Sequence, residues 1–259
     1  MTKLSPSELQ EIAKKVKRDV IEMIYVSQTG HPGGSLSATE ILVALYFEIM
    51  EPQDHFFLSN GHICPALYAV MAEKGLISKE KLATYATLGS ELQGHPERTK
   101  LKGIKNTSGP LGLGLAQAAG YAAVKKDSYV FCMTSDGEHD EGNHWEAVNF
   151  AAKYKLNNLI QFVDKNNIQI EGTTDEIMPL GDLKGKYEAG NWNVIEIDGH
   201  NFDEILNAVA KAKENKGSPT VIIADTVFGK GVSFMEGNPD WHAKAPNEEE
   251  YKKAMEELK

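Results

Sequence analysis

Apolar positions recur along this chain with two alternating periods. Leu9, Ile12, Ala13, Val16, Val20 and Ile24 fall at helical spacing behind Ser5-Pro6-Ser7-Glu8. That tetrapeptide has the form of a capping box with proline at the first helical position. A long first helix is therefore predicted to run to about Thr29 and to break at Gly30-His31-Pro32-Gly33-Gly34. A second capping box, Ser37-Ala38-Thr39-Glu40, opens the next helix, which buries Leu42, Leu45, Tyr46 and Ile49 before Pro52 stops it. Phe56-Phe57-Leu58 reads as a short buried strand, and residues 65–74 as a helix closed by Gly75. Further on, Ser108-Gly109-Pro110-Leu111-Gly112 opens an alanine-rich helix.

The densest signal lies in residues 129–172. An apolar run ends in Ser135-Asp136-Gly137, an amphipathic segment covers 142–155, and a second apolar run ends in Asp164-Lys165-Asn166-Asn167. Two runs of strand length around a helical pattern describe a parallel βαβ unit. After Gly172 the pattern predicts a covering loop over 173–182 and a strand over 191–197. A helix capped by Asn201 with Glu204, a strand over 219–225 and a charged helix over 247–258 follow. From residue 129 on, four strand candidates alternate with helices at intervals of about thirty residues, so the expected fold is α/β, a doubly wound, mainly parallel sheet flanked by helices. Residues 1–259 are read as a single domain.

Charge narrows the class of partner. The net charge of −10 argues against nucleic acid and anionic membrane surfaces. The N-terminal stretch has no apolar core of signal-peptide length, and no apolar run reaches the roughly 18 residues of a membrane span. The two cysteines, Cys64 and Cys132, lie in apolar segments without metal-ligand spacing and read as core thiols of a reducing compartment. The expectation is a soluble, cytoplasmic protein.

The chemistry gathers where the predicted strands end, the edge at which open α/β sheets bind ligands. Asp136 and Asn166 stand 30 positions apart in sequence, each just beyond a strand. A carboxylate, an amide oxygen and a backbone carbonyl are hard oxygen donors suited to Mg²⁺, which takes its remaining ligands from water and phosphate. The helix that follows Gly142 would aim its N-terminal amides at the same place. The residues thus describe a magnesium-bound diphosphate. Taken singly, Asp-Gly and Asn-Asn are also ordinary turns. Two other readings fail. Gly112-Leu113-Gly114 lacks the third small residue of a dinucleotide fingerprint. His139 and His144, five apart, would diverge by roughly 140° on a helix, which argues against zinc.

Asp136-Gly137, an interval of about thirty residues and Asn166, within DGEHDEG and NLIQFVDKNNIQIEG, resemble the thiamine diphosphate motif of transketolases. The resemblance implies that Asp136, Asn166 and the carbonyl of Ile168 hold the metal and that Gly137 lets the diphosphate approach. Ser135 stands where the motif usually has its first glycine. Two further stretches resemble family loops: Gly-His-Pro-Gly-Gly-Ser-Leu-Ser around His31, and Leu-Gln-Gly-His-Pro around His95. Both histidines are implied to contact the sugar. His62, in Ser-Asn-Gly-His, is implied to lie near the diphosphate, and a structural histidine capping a loop would look the same. Gly109 and Leu111 are implied to pack beside the cofactor. Glu141 is implied to join a proton-transfer network across a subunit interface. Gly229-Lys230-Gly231 resembles the family's turn after the last strand, and His242 its histidine contacting diphosphate and substrate. The family usually places glycine after that histidine; Ala243 would shift the loop if the position required positive φ.

The resemblance spans the diphosphate-binding third of a transketolase. It therefore implies a second chain carrying the pyrimidine-binding domain and the glutamate that activates the cofactor, in an α₂β₂ assembly. The implied reaction moves a two-carbon ketol unit from a ketose to an aldose, with sugar phosphates of the pentose phosphate pathway as the default. Two alternatives stand. One is another thiamine diphosphate-dependent lyase or synthase, such as deoxyxylulose phosphate synthase or a 2-oxo acid dehydrogenase component. The other is a non-catalytic binding or regulatory subunit.

Overall fold

The computed structural model describes residues 3–259. α1 (Pro6–Ser27) starts at the predicted capping box, with Ser5 and Glu8 bonded reciprocally. α2 (Pro32–Ser37) and α3 (Thr39–Ala44) follow, and a wider π-type turn over Leu45–Ile49 ends this stretch. β1 (His55–Leu58), α4 (Cys64–Glu73), α5 (Leu113–Val124), β2 (Val130–Ser135), α6 (Gly142–Lys153) and β3 (Leu159–Lys165) complete the first half. Beyond β3 lie the hairpin β4 (Ile168–Gln169) and β5 (Gly172–Thr173), then α7 (Thr174–Ile177), α8 (Leu183–Ala189), β6 (Asn193–Asp198), α9 (Phe202–Glu214), β7 (Thr220–Asp225) and α10 (Glu248–Glu257).

Five strands form one sheet in the order β1-β2-β3-β7-β6, every neighbouring pair parallel. Because successive side chains of a strand point to opposite faces, each strand feeds two cores. Phe56, Phe131, Met133 and Phe162 pack beneath α1, α3, α4 and α9. Phe57, Cys132, Val163 and Ile223 pack beneath α5, α6 and α8. Cys64 and Cys132 are both buried and free, one in each core.

Two features depart from the sequence reading. The glycine-rich break after α1 is itself one turn of helix, and Ser37 does not cap α3. Its buried hydroxyl donates instead to Asp164 (2.7 Å), while Glu40 is taken up by Lys17 (2.6 Å). Buried polar groups must find partners, and here the tertiary ones outcompete the local cap. Lastly, 173–182 is not only loop: Thr173 and Glu176 form a capping box for α7. The α8 that follows was not foreseen, because its only buried positions are Leu183 and Tyr187.

Candidate active site

The parallel register places the exits of β2, β3 and β7 side by side, Ser135 opposite Asp164 and Lys165 opposite Asp225. Asp136 follows β2 and is fully buried. Its Oδ1 accepts from the Gly137 amide (2.8 Å) and its Oδ2 from the Asn167 amide (2.6 Å). Asn167 adopts φ of 61°, a left-handed conformation that asparagine tolerates. Asn166 donates its Nδ2 to Asp164 (3.0 Å) and turns its Oδ1 to the amide of the buried Ile168 (3.0 Å). Asp164 also accepts from Thr226 (2.5 Å) and Ser37 (2.7 Å).

Burial, and then the neighbouring Asp164, push the Asp136 carboxyl up to about 7. Asp136 forms no ion pair among the described residues. A buried carboxylate without a counter-ion is costly, and a divalent cation removes that cost. No group of three or more His, Cys, Asp or Glu side chains suits a metal among the described residues. The donors at hand are one carboxylate, one amide oxygen and backbone carbonyls, a set that fits Mg²⁺ rather than zinc.

Four histidines converge beside these exits. His31 precedes α2, His62 lies in the turn after β1, and His242 follows a short turn over Pro239–Trp241. The His31 ring centroid is 5.3 Å from His62, 5.4 Å from His242 and 6.1 Å from His95. Burial, then the mutual repulsion of the rings, lowers His31 to about 4 and His62 well below its usual value. Burial lowers His95 and His242 as well. All four are therefore neutral imidazoles at pH 7, each offering one donor and one acceptor. The Nδ1 atoms of His31 and His242 are buried without a partner.

Close backbone approach packs this cluster. A Cβ on Gly33 would fall 2.0 Å from the Phe228 ring, which lies parallel to His242 with centroids 6.3 Å apart. Gly109, at φ of 143°, passes over the His95 ring. Ala243 does not adopt positive φ, so alanine is accommodated after His242. Leu111 lies in the turn before α5, its carbonyl accepting from Asn143 (3.4 Å), and Gly137 packs against Gln169. Glu141 stands apart, exposed at the start of α6.

Sequence reasoning passed over several residues that hold these loops. Glu138 is buried and accepts from the Ser59 hydroxyl, the Gly112 amide (2.5 Å) and the Ser135 amide (3.3 Å). Burial pushes its carboxyl up to about 7. Asp164, Ser37 and Thr226 form the layer behind Asn166. The available signal was a charged residue, Asp164, near the end of a mostly apolar strand. His139 and His144 are not splayed as a continuous helix would have them. His139 sits in a 3₁₀ turn over Gly137–Asp140 ahead of α6, and the two rings lie 4.1 Å apart.

The family described as "Transketolase, thiamine diphosphate binding domain" matches residues 9–259. This chain belongs to that family. The "6-deoxy-6-sulfo-D-fructose transketolase subunit SqwG" of Clostridium sp. (strain MSTE9) is 42% identical, over 97% of this chain and 96% of its own length. An apulose-4-phosphate transketolase subunit from Phocaeicola vulgatus is 36% identical, over 97% and 93%. Among solved structures, transketolase from Campylobacter jejuni superposes with a TM-score of 0.92 at 32% identity, covering 98% of this chain and 43% of that one. The chain thus spans about two-fifths of the solved transketolases and nearly all of the two subunits.

Proposed function

We propose that this chain is the diphosphate-binding subunit of a two-chain transketolase. The observation that carries the reading is the buried Asp136 carboxylate, held one hydrogen bond from the Asn166 loop and bordered by four neutral histidines. Asp136, Asn166 and the carbonyl of Ile168 would hold Mg²⁺, and Gly137, Gly109, Leu111 and His62 would line the cofactor. Thiamine diphosphate, when bound, supplies the electron sink for cleaving the carbon–carbon bond beside a ketose carbonyl. His31, His95 and His242 are read as donors and acceptors to sugar hydroxyls. As neutral imidazoles they accept or donate a proton without first losing one to solvent. Glu141 is assigned to a contact with a neighbouring subunit, which its exposure at the start of α6 allows.

A second chain is proposed because both of these relatives are named as subunits; an α₂β₂ assembly fits the symmetry common to such enzymes. The same names, for a sulfonated ketose and a phosphorylated one, favour a ketose with a terminal anion over pentose phosphates alone. The buried free cysteines fit a reducing cytoplasm, and no helix among the described residues is long and apolar enough to cross a membrane. The deciding experiment mixes this chain with its second subunit, Mg²⁺ and thiamine diphosphate and screens sulfofructose, apulose 4-phosphate, xylulose 5-phosphate and pyruvate as donors. Ketol transfer from a ketose is the expected result. Turnover of pyruvate alone would move the chain to another thiamine diphosphate-dependent class.

A further inference from the structure

Behind the Asp136 turn, on the side away from the four histidines, lies a buried polar cluster that the proposed reaction does not use. It comprises His139, His144, Gln161 and Tyr187, the last carried on α8. His139 Nδ1 lies 2.9 Å from the Ser135 carbonyl and 3.0 Å from the Asp136 carbonyl. Both are acceptors only, so Nδ1 carries the proton. With Nδ1 protonated, Nε2 of the neutral ring is a bare acceptor, 2.8 Å from the Tyr187 hydroxyl. Tyr187 must spend its single proton there. His144 Nε2, also 2.8 Å from that hydroxyl, is consequently a donor. The His144 Nδ1 left bare by this tautomer is buried without a partner. Gln161 Nε2 gives its two protons to Tyr187 (2.7 Å) and Thr134 (2.9 Å). The phenol oxygen thus donates once and accepts twice, and every proton in the cluster has one consistent place.

We infer that His139 is a positioning residue for the metal site: anchored by Tyr187, its Nδ1–H grips the Ser135 and Asp136 carbonyls and so fixes the turn that aims the Asp136 carboxylate. The inference rests on the metal reading above, and it assigns His139, His144 and Tyr187 a role that zinc does not explain. Groups bonded behind a metal ligand set its orientation, and their loss weakens metal binding by roughly 10- to 100-fold.

The test uses the full chain and three variants. His139→Asn keeps a donor near the Nδ1 position and gives up the Tyr187 contact. His139→Gln extends toward Nε2 and gives up the grip on the carbonyls. Tyr187→Phe removes the anchor while keeping the His139 ring, and it also takes away the acceptor of His144 and Gln161. Mn²⁺ affinity in the presence of thiamine diphosphate is read by calorimetry, and hydrogen exchange of residues 135–142 is read in the unliganded chain. Expected are at least about tenfold weaker Mn²⁺ binding and faster exchange at the turn in His139→Gln and Tyr187→Phe, with His139→Asn, which keeps the grip but not the anchor, closer to the parent than His139→Gln. In the parent chain, ¹⁵N shifts should report the Nδ1–H tautomer of His139. Unchanged Mn²⁺ affinity and exchange in Tyr187→Phe, or an Nε2–H tautomer of His139, would overturn the inference. If the parent chain binds no Mn²⁺, the metal reading fails, while the exchange and tautomer data still decide whether His139 holds the turn.

Discussion

At the scale of single residues, protonation state governs what the site can do. Asp136 is buried beside Asp164 with no ion-pair partner among the described residues, so removing its carboxylate would remove both the proposed metal ligand and the reason for a metal. Asp136→Ala is expected to abolish metal-dependent thiamine diphosphate binding, measured by calorimetry, while the far-ultraviolet spectrum stays that of the parent. The histidines make a separate prediction. His31→Ala or His95→Ala, measured with the second subunit present, should lower kcat/KM for the sugar by about 100-fold or more with cofactor affinity largely intact. Loss of cofactor binding would place them around the diphosphate instead. Their depressed pKa values also fix the sign of a pH effect. Unfolded histidine takes up a proton near 6.5, whereas His31 and His139 do so only near 4. Each of these histidines therefore gains its proton first in the unfolded chain and contributes a loss of stability as pH drops from about 6.5 toward 4, opposed by Asp136 and Glu138, whose carboxyls, pushed up to about 7, take up protons first in the folded chain. Within the net change seen by urea unfolding of the unliganded chain between pH 7 and pH 5, each such histidine should carry a loss of roughly 1–2 kcal/mol. His31→Asn should remove part of it.

At the scale of elements, two glycines of α5 separate packing from propensity. A Cβ on Gly114 would fall 2.4 Å from the side chain of Ser59 and 2.5 Å from its Cα, and the Gly114 amide donates to the Ser59 hydroxyl (3.0 Å). A Cβ on Gly120 would meet nothing within 4 Å. Gly114→Ala should destabilise by about 1–3 kcal/mol and loosen the Ser59–Glu138 contact, whereas Gly120→Ala in the isolated chain should be neutral or gain up to about 1 kcal/mol. Thermal unfolding of the pair separates the two effects. The same elements show what the sequence could reveal. Periodicity located α1 and α9 with their caps, charge pairing located α10, and apolar runs located β2, β3 and β7, because burial on a fixed face repeats at a fixed interval. It missed α8, whose two buried residues are too few to set a period. Asp136 and Asn166 were legible because both sit where apolar strands stop and their spacing matches a known motif. Glu138, Tyr187 and the role of Ser37 were not, since each depends on a partner 26 to 127 residues away that no local pattern encodes.

At the scale of the whole molecule, the sheet edge is furnished on one side only. Four histidines, two with buried unpartnered Nδ1 atoms, share that edge with a buried carboxylate, and apolar side chains stand exposed on α5 and α6, Leu113 and Phe150 among them. Exposed apolar surface on a folded chain marks places where another protein sits. The two subunit relatives are matched over nearly their full length, whereas a solved transketolase of similar fold is more than twice as long. The expectation is that this chain, loaded with Mg²⁺ and thiamine diphosphate, transfers no ketol unit by itself and does so once its second subunit is present. Because the active species is then an assembly, specific activity should fall on dilution through the dissociation constant of the two chains, and excess second subunit should restore it. Undiminished activity of this chain alone at every concentration would overturn the two-chain reading and leave the whole reaction to the residues described above.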